Sequence, residues 1–118
     1  MLIKQVLTRI YVHDINNVIG FYEGLFNEKC NLRFVYQEVN IELAQVGNVL
    51  ILGGSEKSME PFRDTKITFL VNSVAEFKKY LLEHGAAIIK DCKEVPTGIN
   101  MTVKHADGII AEYVEHAW

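Results

Sequence analysis

Three polar side chains stand in apolar, strand-like stretches where they could act on a ligand: Glu112 in IIAEYVE, and Arg9 and Tyr11 in VLTRIYV. Strand alternation puts Ile110, Glu112 and Val114 on one face and Ala111, Tyr113 and Glu115 on the other. A carboxylate among apolar neighbours needs a partner, since burying it unpaired is costly. The sequence leaves open a metal ligand, an anchor for an organic ligand and a solvated strand carboxylate. Arg9 and Tyr11 share the face opposite Ile10 and Val12. If the aliphatic pair packs under a helix, Arg9 and Tyr11 project into the cleft, where an Arg can grip a carboxylate or phosphate bidentately and a Tyr can stack on a ring. The plainer alternative for Arg9 is an ion pair with a neighbouring acid.

Other chemistries find little support. His13, His84, His105 and His116 fall at turns or near the chain end, none at i, i+4 from another, and are expected to be solvated. Cys30 and Cys92 lie 62 positions apart without CxxC spacing and read as free thiols. GxSxG, P-loop, GxGxxG and HExxH motifs are absent, which removes nucleophile-elbow hydrolases, nucleotide-phosphate enzymes and zincins. Twelve basic against fifteen acidic residues give a net charge of −3, so neither nucleic acid nor an anionic membrane is an expected partner. No apolar run of about 20 residues and no signal-peptide core occur, and the expected location is the cytoplasm.

The elements that must position these side chains follow from periodicity. Residues 6–12 alternate as a half-buried strand, and Asp14 or Asn16 can cap a helix to about Asn27 with Val18, Ile19, Tyr22, Leu25 and Phe26 at helical spacing. Extended stretches follow near 32–38, 41–46 and 48–52, the last two joined by the Gly47-Asn48 turn. From Lys66 the plan restarts. KITFLV alternates, and Val74, Phe77, Tyr80 and Leu81 mark a helix closed by Gly85. Stretches near 86–92, 100–104 and 109–115 come next, with turns at Thr97-Gly98 and Asp107-Gly108. Positions 18, 21 and 22 recur 59 residues on as 77, 80 and 81, and 59 is half of 118. The pattern is an α+β chain of two tandem βαβββ modules, 1–54 and 66–118, with 55–65 as a linker.

RIYVHDINNVIGFYEGLF resembles the opening strand and helix of the vicinal oxygen chelate superfamily, whose members include glyoxalase I, bleomycin-resistance proteins and extradiol dioxygenases. HADGIIAEYVE is similar to its last hairpin, where a DPDG-type turn leads into a strand carrying a Glu; here the turn is altered at His105 and Ala106. The resemblance spans the whole chain and implies a glyoxalase-like open barrel with a concave cleft. Metal-dependent members take one ligand from the first and one from the last strand of each module. Those positions fall on Leu7, Ile51, Lys66 and Glu112, of which only Glu112 has suitable chemistry.

The resemblance therefore implies a protein without the family metal or another cofactor. It would bind a small organic molecule, in the manner of sequestering or resistance proteins, in a cleft lined by Leu7, Arg9, Tyr11, Ile51, Lys66 and Glu112. A Lys66 to Glu112 ion pair would occupy the metal's place. The alternative is a metal-dependent lyase, isomerase or dioxygenase that uses Glu112. A homodimer is expected, because two half-barrels leave strand edges to cover.

Overall fold

β1 (Ile3–Val12) ends where Asp14 holds an extended backbone and its carboxylate accepts from Asn16 N, opening α1 (Ile15–Phe26). The helix stops at Asn27, which takes the left-handed conformation and donates its N–H to Glu23 O. The start of α3 (Val74–Glu83) repeats this logic: Ser73 caps it by accepting from Glu76 N. The helices begin 59 residues apart, at Ile15 and Val74, as the internal repeat requires.

The computed structural model describes all 118 residues and divides into two compact units, residues 8–64 and residues 1–7 with 65–118. In the first, the second half of β1 joins β2 (Leu32–Tyr36), β3 (Ile41–Val46) and β4 (Val49–Gly53) in the order β2-β3-β4-β1. β1 runs parallel to β4, and the other pairs are antiparallel. Ile15 and Ile19 of α1 pack on Ala44, Val46, Val49 and Ile51, with Ile10 and Val12 against them. Gly53 admits the helix, since a Cβ there would lie 2.9 Å from Ile15 Cβ.

The second unit has β5 (Thr65–Val71), α3 (Val74–Glu83), β6 (Ala87–Val95), β7 (Gly98–Lys104) and β8 (Ile110–His116), in the order β6-β7-β8-β5. Again the first and last strands are parallel and the rest antiparallel. Val74 and Phe77 of α3 pack on Val71, Met101, Val103, Ala111 and Tyr113. Gly98 is required by contact: its φ is 146°, and a Cβ would sit 2.0 Å from the Glu115 carbonyl oxygen. Each unit is thus βαβββ with one sheet face under its helix.

Residues 55–65, expected as a linker, are structured. Ser55 caps the short α2 (Glu56–Met59), and a 3₁₀ turn follows over Glu60–Phe62. Met59 is fully buried and fixes the segment, an anchor that its charged neighbours conceal in the sequence. No helix is long and apolar enough to cross a membrane.

Candidate functional site

Glu112 lies in β8 on the face turned away from α3, because Ala111 and Tyr113 take the helix side. Its cross-strand partners are Thr68 of β5 and Thr102 of β7. Cross-strand partners share a face, so these side chains meet. One carboxylate oxygen accepts from Thr68 Oγ1 at 3.1 Å and the other from Asn100 Nδ2 at 3.4 Å. Thr68 is 1% exposed, and Val114 beside the carboxylate is buried. Asn100 is incompletely satisfied, since its Oδ1 is buried and has no hydrogen-bond partner.

A β-bulge sets this arrangement. Thr65 pairs with Ile110 but Ile67 with Ala111, so Lys66 is the extra residue, and it is exposed. In an unbulged ladder Ile67 would face Glu112. With the bulge, a hydroxyl does. Thr68 and Asn100 were not singled out in the sequence, where the only available signal was the shared strand parity of Thr68 and Leu70.

In residues 8–64 the corresponding face carries Arg9 and Tyr11, as their alternation with Ile10 and Val12 requires. Arg9 is buried and donates from Nε to the Tyr11 hydroxyl at 2.8 Å, with its guanidinium carbon 5.5 Å from the Tyr11 ring centroid. The Tyr11 hydroxyl donates to the Phe62 carbonyl, tying β1 to the 3₁₀ turn. Buried Gln45 and Arg9 flank Leu50, which pairs with both.

Ile51 departs from its expected place. It is fully buried in the cluster under α1, and the strand turns Leu50 and Leu52 to the opposite face. A one-residue offset in assigning β4 accounts for this, since neighbours in a strand point to opposite sides. Leu7 is buried at 1% exposure. Two histidines are less solvated than expected. The His105 ring hydrogen-bonds the Tyr113 hydroxyl at 2.7 Å, and His116 lies inside β8, stacked on Trp118. Burial, then the nearby Lys4 charge, lowers the His116 pKa, with Glu112 opposing. Burial pushes the Tyr113 phenol up to about 12. Both cysteines are free.

A divalent ion of the kind the resemblance implies needs several nitrogen, sulfur or charged oxygen donors. Here the strand neighbours of the one carboxylate are hydroxyls and an amide. No group of three or more His, Cys, Asp or Glu side chains stands where it could hold an ion. The donor set does not fit the metal.

No protein-family model matches the sequence, and no curated protein sequence does. Among solved structures, a hypothetical protein from Methanosarcina mazei is 45% identical with a TM-score of 0.88, the match covering 99% of this chain and 95% of that one. Methylmalonyl-CoA epimerase from Mycobacterium tuberculosis gives 15% identity, a TM-score of 0.77 and coverage of 99% and 91%. A Streptomyces coelicolor methylmalonyl-CoA epimerase in complex with 2-nitronate-propionyl-CoA gives 16%, 0.74, 98% and 96%. This chain belongs to one family with the Methanosarcina mazei protein, and its fold is the glyoxalase-like fold of the epimerases.

Proposed function

We propose that this protein is a vicinal oxygen chelate superfamily member that binds a small organic molecule on the Glu112 face of residues 65–118 without a metal. The observation that carries the reading is the Glu112 carboxylate, fixed by Thr68 and Asn100 on a face it shares with Ile110 and Val114. Apolar lining with a few oriented polar groups is what small-molecule sites use. A thermal-shift screen against a metabolite and antibiotic library tests it. Hits should stabilise the native protein and lose their effect in Glu112→Gln; a library without such a hit refutes the reading. Protein purified without chelator should contain no stoichiometric nickel, zinc, manganese or iron, and near one ion per chain by elemental analysis overturns the metal-free part.

The likeness to methylmalonyl-CoA epimerases favours a second reading, an isomerase acting on an acyl-CoA thioester with Glu112 as the proton-transferring base. Incubation with methylmalonyl-CoA in deuterated water separates the two. Deuterium entering the α-carbon supports the enzyme, and its absence with wild-type protein supports the binder. For assembly, we propose a cytoplasmic homodimer of about 27 kDa, twice the 13.4 kDa chain. Light scattering that returned a monomer at micromolar concentration contradicts it.

A further inference from the structure

We infer that the ligand of the Glu112 face is an organic anion whose carboxylate or phosphate is held by Lys90 and Lys93 of β6. The inference rests on the small-molecule reading above and narrows it. Lys90 pairs with Thr102, the cross-strand partner of Glu112, and Lys93 pairs with Asn100, whose amide reaches the Glu112 carboxylate. Cross-strand partners share a face, so both lysines stand on the Glu112 side of the sheet. Residues three apart in a regular strand point to opposite faces. Between these two pairs β6 advances three residues while β7 advances two, and the bulge in β6 turns both ammonium groups the same way.

The strand also sorts its charges by face. Asp91 pairs with Lys78 of α3 at 2.7 Å, and Glu94 stands opposite Ile99, which packs on the cluster under α3. Within residues 90–94 the acids therefore take the helix side and the bases the Glu112 side. β6 is the last strand of the sheet, and lysines commonly guard such edges, but guarding an edge needs no particular face. Both lysines are exposed, and an ammonium has three donors, so an oxyanion can join whatever partner each already has. β6 and β8 are two strand spacings apart, about 10 Å, which keeps an oxyanion on the lysines clear of the Glu112 carboxylate. The uncharged part of the ligand then lies over Asn100 and Thr102.

The test uses isotope-labelled protein and three matched probes, benzoate, phenyl phosphate and benzylamine, followed by NMR. Benzoate or phenyl phosphate should shift the backbone resonances of residues 90–93 and 100–102 and bind about tenfold more tightly than benzylamine; the tighter of the two anions tells carboxylate from phosphate. The double change Lys90→Gln with Lys93→Gln should erase that preference in a protein whose spectrum remains folded. Lys78→Gln, which removes one positive charge from the helix side, should keep it. Benzylamine binding as tightly as both anions overturns the inference and leaves the binding reading intact. So does a preference that survives the double change, or one that Lys78→Gln abolishes equally, since net charge alone would then account for it. If none of the three probes moves a resonance on this face, the inference fails and the library screen decides the binding reading by itself.

Discussion

Residues 8–64 and residues 65–118 are two executions of one plan that agree on the helix side and disagree on the other face. Under α1 lie Ala44, Val46, Val49 and Ile51; under α3 lie Val71, Met101, Val103, Ala111 and Tyr113. Both sets are apolar because each helix can be held only by burial. The opposite faces diverge at matched register. Arg9 and Gln45 flank Leu50 in one unit, while Thr68 and Thr102 flank Glu112 in the other. One unit carries its charge on the first strand, as a cation engaged with Tyr11. The other has an anion on its last strand, engaged with Thr68 and Asn100, and two lysines, Lys90 and Lys93, on β6 across from Thr102 and Asn100. The helix-side face is constrained by packing, so the other face is where the units could acquire different chemistry.

The largest expected effect tests the agreement. Ile51→Ala and Met101→Ala, one in each helix-side cluster, should each lose about 2–5 kcal/mol in denaturant unfolding. An Ile51→Ala loss below about 1 kcal/mol would show that this side chain is not core and would restore it to the opposite face. Next come the close contacts. Gly98→Ala forces a Cβ onto the Glu115 carbonyl at an unfavourable φ and should cost about 3 kcal/mol, whereas Gly53→Ala sets its Cβ against Ile15 Cβ, moves the start of α1 by a few tenths of an ångström and should cost about 1–2 kcal/mol. Equal melting shifts for the two would remove the distinction.

The comparison sharpens at alkaline pH. Buried Tyr113 keeps its proton up to about 12, while in the unfolded chain the phenol titrates near 10.0. Between those values the folded state binds the extra proton, so its contribution is complete below pH 10 and is lost as pH rises towards 12. The slope is at most about 1.4 kcal/mol per pH unit. Chemical denaturation across that range should show the loss in wild type and a flatter profile in Tyr113→Phe; identical profiles contradict the assignment.

The smallest effects separate the polar faces. Tyr11→Phe removes the hydroxyl between Arg9 and the Phe62 carbonyl and should cost about 1–2 kcal/mol, loosening Glu60–Phe62 in hydrogen exchange. Thr68→Val removes a donor to Glu112 and should cost about 1 kcal/mol, with exchange unchanged in residues 8–64. Loosening of Glu60–Phe62 by Thr68→Val would show that the two faces are not independent.

The sequence by itself determined the repeat, the helices of the two modules, the first with Asp14 or Asn16 as its cap, the run of strands and the separation of Ile10 and Val12 from Arg9 and Tyr11. These depend on local chemistry: a side-chain acceptor at a helix start, apolar spacing of three to four, and alternation of two. The tertiary structure decided which residues meet. Alternation fixes the side of a strand only up to a one-residue shift, which is how Ile51 came to be expected on the wrong face. Met59 turned an apparent linker into packed helical turns because burial is a property of neighbours and not of composition. The bulge at Lys66 chose Thr68 over Ile67 as the partner of Glu112, and no local signal in KITFLV marks it. Register is set by the whole ladder of hydrogen bonds and by the packing of β5 and β8 under α3, so the surroundings of Glu112 exist only once the sheet has formed.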